Sequence, residues 1–315
     1  MRALYVIVAC APMALAGAAG ADVLLVPNTG TGFDNVYAFD PFDGSLISNN
    51  YIPNDGRMSQ VIKVVDSGNN TLLMVDEVNN KVMEYGYNGA WIRDVATAAN
   101  GLSGPFSIAV HNNQIYVANL TGATSPNTIQ RFDMDGTNQT TWASFGGAAG
   151  IGVPRDILFR ASGDVLIGDS DGDDIERFSL GGTHLGTWHN SDGVTGIDFP
   201  QQMIEESNGN VIAAGFTAPF GLYTYDSSGT QIGFVGGPPL PASPRGVFRL
   251  GNGKLLVTMG TRVEVYDPVA NVSSTIVNTP NASFRFITPS AIPAPGALAV
   301  AGLAGLVGLR RRRTG

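Results

Sequence analysis

Val165-Leu166-Ile167-Gly168-Asp169-Ser170-Asp171-Gly172-Asp173-Asp174-Ile175-Glu176-Arg177-Phe178 is the stretch that decides the fold. An apolar run of strand length gives way to an Asp/Gly/Ser turn, and a second run then ends on an aromatic side chain. β-Branched and aromatic residues suit a pleated, half-buried surface, and Asp and Gly supply the turn between two such runs. The same order returns along the chain. Segments 36–39, 82–85, 129–132, 175–178, 222–225 and 263–266 each end on an aromatic, at Phe39, Tyr85, Phe132, Phe178, Tyr225 and Tyr266, with spacings of 46, 47, 46, 47 and 41 residues.

A second landmark keeps the same phase. Proline opens a strand in Pro105-Phe106-Ser107-Ile108, Pro154-Arg155-Asp156-Ile157, Pro200-Gln201-Gln202-Met203 and Pro244-Arg245-Gly246-Val247, with Met58-Ser59-Gln60-Val61 at the corresponding place in an earlier unit. Proline is tolerated at a strand's first residue, where no ladder donor is lost. Apolar second strands follow at 72–75, 115–118, 165–168, 211–214 and 255–258, and a weaker fourth strand is visible in Gln231-Ile232-Gly233-Phe234-Val235. Repeated four-stranded units of this length are propeller blades, and one blade cannot bury both of its faces without neighbours.

The first unit begins at Asp22-Val23-Leu24-Leu25-Val26, which matches a second strand, so its first strand is missing. Ala282-Ser283-Phe284-Arg285-Phe286-Ile287 has strand character and no blade of its own; it is expected to supply that strand and close the ring. The expected architecture is all-β: a six-bladed β-propeller with four-stranded blades over residues 22–288. An N-terminal signal helix (1–21), a linker with a Pro-rich motif (289–295) and a C-terminal apolar helix (296–315) flank it.

The units resemble NHL repeats: apolar strand, acidic or amide residue, polar turn, then Ile-x-x-Phe, as in residues 165–178 and again in Leu72-Leu73-Met74-Val75-Asp76-Glu77-Val78-Asn79-Asn80-Lys81-Val82. The resemblance covers most of 22–288. It implies the propeller fold and no single activity, because propellers of this kind host binding modules, scaffolds, lactonases and lyases alike.

Residues 1–21 read as a secretory signal. Arg2 precedes an apolar stretch to about residue 15, and Ala19-Gly20-Ala21 fits the small-x-small cleavage rule. Ile7-Val8-Ala9-Cys10 loosely matches a lipoprotein cleavage box but falls too early for a normal apolar region. Cys10 is the single cysteine and lies inside the signal, so the processed chain would hold no disulfide or cysteine-based metal site. The formal net charge is −8; without Arg2 and the four tail arginines, basic residues fall from 18 to 13 against 26 acidic ones, a net −13. That balance opposes nucleic-acid binding and docking on anionic lipid, so a membrane contact is expected only through the C-terminal helix.

Three groups are candidates for chemistry. Asp169, Asp171 and Asp173 alternate around a Gly turn and could offer hard oxygen ligands to calcium, the one cofactor in view. No Glu stands at the twelfth position and no helices flank the loop, and an Asx residue that binds turn amides is the plainer role, repeated at Asn28, Asp76 and Asn119. Residues just after the strand openings are expected near the channel: Ser59, Phe106, Arg155, Gln201 and Arg245. Of these, Arg155, Gln201 and Arg245 form a candidate ligand site at the channel mouth, the two arginines suited to an anion; pairing with acidic groups such as Asp156 is their alternative role. His111, His184 and His189 show no convergence. No catalytic residues are assigned. Gluconolactonase-type propellers hold a divalent metal on acidic and amide residues at the channel mouth, and lyases resembling virginiamycin B lyase use histidines in a seven-bladed ring; neither set falls at matching places here.

The C-terminal run IPAPGALAVAGLAGLVGLRRRRTG, residues 292–315, has an uncharged stretch at 296–309 and then Arg310, Arg311, Arg312 and Arg313. Its order of short motif, apolar helix and arginine cluster resembles the PEP-CTERM sorting signal read by exosortase. Pro293-Ala294-Pro295 stands where that signal has Pro-Glu-Pro. An apolar segment followed by arginines halts with the arginines inside the cell. The partners implied are signal peptidase, the secretion channel and an exosortase-like protease, and the location is the cell envelope or beyond it. Two functions follow: a noncatalytic surface module binding a glycan, peptide or envelope polymer, or a metal-dependent propeller hydrolase or lactonase.

Overall fold

Each sheet of the computed structural model, which describes residues 23–120, 127–144, 152–191 and 194–291, holds four antiparallel strands, and there are six such sheets. The segment read as a signal (1–21) and the whole run 292–315, with Pro293, Ala294, Pro295 and Arg310 to Arg313, lie outside the described residues. Strands β1 to β24 follow one another in chain order, with one 3-10 turn at Ala98–Asn100. Among the described residues no helix is long and apolar enough to cross a membrane.

The inner strands are β4 (Val61–Asp66), β8 (Pro105–His111), β12 (Pro154–Phe159), β16 (Pro200–Glu205), β20 (Gly246–Arg249) and β24 (Thr288–Ser290). They pack on one another in the order β24, β4, β8, β12, β16 and β20. The second strands are β1 (Val23–Asn28), β5 (Thr71–Asp76), β9 (Gln114–Asn119), β13 (Asp164–Asp169), β17 (Val211–Gly215) and β21 (Leu255–Met259). Their continuous apolar runs are almost entirely buried because blades cover both faces. All six aromatics that mark the repeat are buried. They close the outer part of the core, which divides into six clusters, each built mainly from two adjacent blades, with Phe286 of the closing segment joining the cluster of the second and third.

The ring closes as expected, with shifted bounds. β24 pairs with β1 through Val23↔Ser290, Leu24↔Pro289 and Leu25↔Thr288, while Phe284 makes an isolated bridge to Asn28. The apolar residues 284–287 fill the interior: Phe284, Phe286 and Ile287 are fully buried. Regular pairing falls on Thr288, Pro289 and Ser290, beyond the expected limit of 288. Pro289 is accommodated because β24 has no partner strand on its other edge.

The second unit is aligned differently from the sequence expectation. Pro105, Pro154 and Pro200 lie opposite Asn119, Asp169 and Gly215, and in blade two the residue opposite Asp76 is Val61, not Met58. The equivalent of Phe106, Arg155 and Gln201 is therefore Ile62, and Ser59 belongs to the loop before the strand. In the last unit Pro244 and Arg245 precede β20, whose pairing begins at Gly246.

Candidate anion-binding site at the channel mouth

Asx residues at the ends of four second strands fix the loops that lead into the inner strands of their own blades. Asp169 accepts the amides of Gly152 (2.8 Å), Val153 (2.8 Å) and Asp171 (3.0 Å). Asp76 accepts those of Ser59 (2.8 Å), Gln60 (3.3 Å) and Asn79 (2.9 Å). Asn119 accepts from Ser103 (2.6 Å), and Asn28 from Ser283 (2.9 Å) and Gly30 (3.1 Å). All four side chains are fully buried, so each satisfies amides that would otherwise be stranded.

These loops surround a cavity of about 280 Å³ where the inner strands begin. Its lining draws on every blade: Gln60 and Glu77 from the second, Phe106 from the third, Arg155 from the fourth, Phe199, Gln201 and Phe216 from the fifth, Arg245 from the sixth and Arg285 from the closing segment of the first. Arg155, Gln201 and Arg245 thus meet at one mouth. Register equivalence extends the set, because Phe284 opposite Asn28 occupies the place of Pro154 opposite Asp169, which makes Arg285 the counterpart of Arg155.

The arginines are held by their stems and flanks. The Arg155 guanidinium lies between the rings of Phe106 and Phe199, 4.5 Å from each centroid, and its Nε donates to Ser170 Oγ at 2.8 Å. Arg285 Nε donates to Thr29 Oγ1 at 2.7 Å. Arg245 stacks over Phe216 at 4.6 Å, and its Nε is buried with no hydrogen-bond partner among the described residues. Thr29, Glu77, Ser170 and Phe216 each directly follow a second strand, so the residue after that strand forms an outer ring around the arginine ring.

No carboxylate among the described residues pairs with any of the three arginines, although ten other Lys or Arg ion pairs are formed among them. Glu77 is the acidic residue lining the cavity, and it accepts a short hydrogen bond from Gln60 Nε2. Burial, followed by repulsion from Arg245 and Arg155, lowers Arg285 to a pKa of about 9. Burial lowers Arg155 to about 10, with Arg245 opposing its charge and Glu77 and Asp169 supporting it. Arg245 is lowered by burial. All three remain cationic at neutral pH, giving the cavity three positive charges against one carboxylate within an acidic protein.

The remaining candidate residues have other surroundings. Asp173 Oδ1 accepts the Phe199 amide at 3.0 Å, and Asp198 beside it is raised by burial and by the Asp173 carboxyl. Asp171 is exposed. Among the described residues no three His, Cys, Asp or Glu side chains gather to hold a metal ion. His184 contacts Glu176 at 2.6 Å and His189 contacts the Gly229 carbonyl at 2.9 Å; both lie on the outer strand His184–His189.

Below the arginine ring, one residue further along the inner strands, a polar belt crosses the axis. Lys63 Nζ donates to Asp156 Oδ1 at 2.7 Å, Ser107 Oγ donates to the same oxygen at 2.8 Å, and the Met203 amide donates to Asp156 Oδ2 at 2.9 Å. Gln202 continues it, donating to the Ile287 carbonyl at 2.6 Å and accepting the Ile287 amide at 2.8 Å. Beyond the belt is a second chamber of about 510 Å³ with Ile108, Val110, Leu158, Ile204 and Phe248 in its walls.

The geometry defines a six-bladed β-propeller with four-stranded blades. No family model matches the chain, and no curated protein matches it in sequence. Solved structures do resemble it. A chain of the nidogen/laminin complex aligns with a TM-score of 0.67 at 15% identity, covering 84% of this chain and 97% of that one. An inactive H270A virginiamycin B lyase from Staphylococcus aureus, solved with quinupristin, aligns with a TM-score of 0.56 at 15% identity, over 82% and 85%. A candidate gluconolactonase aligns with a TM-score of 0.55 at 14% identity, over 71% and 80%. At these identities the likeness is one of fold, and it spans binding proteins and enzymes.

Proposed function

We propose that this protein is an exported, noncatalytic binding module that captures an anionic ligand at the arginine-lined mouth of its channel. The observation that carries the reading is the convergence of Arg155, Arg245 and Arg285 from three blades without a carboxylate partner. Half-buried cations that outnumber the one carboxylate beside them, Glu77, cost stability, and a ligand anion would supply the missing charge. Arginine suits the task because its planar fork keeps its charge when buried and binds oxyanions through paired donors. An acidic glycan or envelope polymer is the ligand class we envisage.

Export and tethering belong to the same proposal. It rests on the signal-like residues 1–21 and on the PEP-CTERM resemblance of 292–315. Val23 pairs with Ser290 at the end of the ring opposite the arginines, which begin the inner strands. A membrane tether following Ala291 would therefore leave the arginine mouth facing away from the membrane. Replacing Arg310 to Arg313 with Glu should disturb retention and processing, and normal maturation of that variant would count against the tether. For the site itself, calorimetric titration with a panel of small phosphates, sulfates and carboxylates should detect binding that weakens at least tenfold in Arg245→Gln. Failure of every anion to bind would overturn the reading.

A further inference from the structure

Resting on that reading, we propose that the mouth selects a tetrahedral oxyanion, a phosphate or sulfate monoester, over a carboxylate. Three arginines approach one small cavity from three blades, and the hydroxyls of Ser170 and Thr29 hold Nε of Arg155 and Arg285. Tethering Nε leaves the terminal nitrogens of these two side chains to do the binding. Arg245 differs: its Nε is buried and unpartnered among the described residues, so no protein hydroxyl tethers this guanidinium as Ser170 and Thr29 tether the other two. A carboxylate has two oxygens in one plane and can satisfy two such forks. A monoester of phosphoric or sulfuric acid presents three terminal oxygens on a tetrahedron, one for each arginine, and its charge of up to −2 matches the local excess of three guanidiniums over Glu77.

The other groups fit an ester rather than the free ion. Glu77 carries the negative charge in the lining and can accept a hydrogen bond from a hydroxyl close to the ester. Gln60 donates to Glu77 and so fixes the orientation of its carboxylate. A cavity of about 280 Å³ is at the small end of ligand sites. The charged group and at most one ring would enter, with the rest of the ligand in solvent.

Thermal-shift and calorimetric titrations of the full chain, at matched ionic strength, with inorganic phosphate, inorganic sulfate and acetate test this directly. Phosphate and sulfate should raise the melting temperature and bind at least tenfold more tightly than acetate. Arg155→Gln, Arg245→Gln and Arg285→Gln should each lose tenfold or more. Arg245→Lys, which keeps the charge but not the fork, should also weaken binding, while circular dichroism confirms the fold. The pH dependence separates the two sources. Inorganic phosphate binding should fall as the pH drops through neutrality and the dianion takes up a proton, and sulfate binding should not. Acetate binding as tightly as phosphate and sulfate, or phosphate and sulfate binding indifferent to the three arginines, would overturn the inference. In the first case the anion site would survive as a carboxylate site; silence of every anion would remove both proposals.

Discussion

Lys63 Nζ and Asp156 Oδ1 are 2.7 Å apart across the propeller axis, joining inner strands of the second and fourth blades past Ser107 of the third. Side-chain exposure is 9% for the lysine and 1% for the aspartate, so the pair is effectively desolvated. Removing one member of such a pair strands the other charge, at a cost of roughly 3–5 kcal/mol. Lys63→Met should therefore be strongly destabilising in urea unfolding. Lys63→Met/Asp156→Asn should recover most of the loss, because the carboxamide oxygen introduced at position 156 can still accept the Met203 amide. Equal instability of single and double variants would show that the lysine contributes packing rather than charge.

Ring closure was legible because the repeat left one strand short at the beginning of the chain and one strand over at residues 282–287. Exact pairing was not legible. Thr288, Pro289 and Ser290 form the ladder although Pro289 and Ser290 lack strand propensity, and tertiary context overrides it. Phe284 and Phe286 are fully buried, with Tyr37 of the same blade edge-on to Phe284 at 5.0 Å and Phe106 of the third blade edge-on to Phe286 at 5.8 Å. Phe284→Ala and Phe286→Ala should each cost about 3–5 kcal/mol. Deleting residues 282–290 should lower the melting temperature sharply, and an unchanged melting curve would contradict closure by this segment.

Phe106, Arg155, Gln201 and Arg245, four of the nine residues lining the candidate site, could be placed near the channel from sequence. Arg155, Gln201 and Arg245 follow prolines that mark the phase of the repeat. Arg285 follows Phe284 instead, so the landmark was absent although the position is equivalent. Glu77 carried a weaker signal, standing directly after Asp76 as Ser170 stands after Asp169. Ser59 was misplaced because blade two lacks the proline, and only strand register puts Ile62 at that position. Phe216 directly follows a second strand as Glu77 and Ser170 do, and Phe199 directly precedes Pro200, but nothing in those positions specifies that their rings stack on Arg245 and Arg155.

The buried Asp169 side chain separates a structural turn from a calcium ligand. It accepts three backbone amides, so Asp169→Ala should leave buried donors unsatisfied and cost roughly 1–3 kcal/mol. Its effect should be the same with and without calcium, and neither calcium nor chelator should move the melting temperature of the unmodified protein. A calcium-dependent rise that Asp169→Ala abolishes would reinstate a metal role for Asp169, Asp171 and Asp173.

Asp34 gives a pH dependence with a definite sign. Its pKa is raised to about 6 by burial and then by the nearby Asp76 carboxylate, and its buried Oδ1 has no hydrogen-bond partner among the described residues. The fold thus favours the protonated acid. The stability this provides is complete below the unfolded pKa, about 4, and is lost as pH rises through about 6. Asn is neutral at every pH and readily adopts the left-handed backbone found here, with φ at 48°. Asp34→Asn should therefore be more stable than the parent by about 1 kcal/mol at pH 7.5, after allowance for solvent screening. Between pH 4 and 6.5 the difference should shrink steadily on acidification, because the parent regains its neutral carboxyl. Urea midpoints across that range would show it, and a stability gap independent of pH would assign the effect to backbone geometry alone.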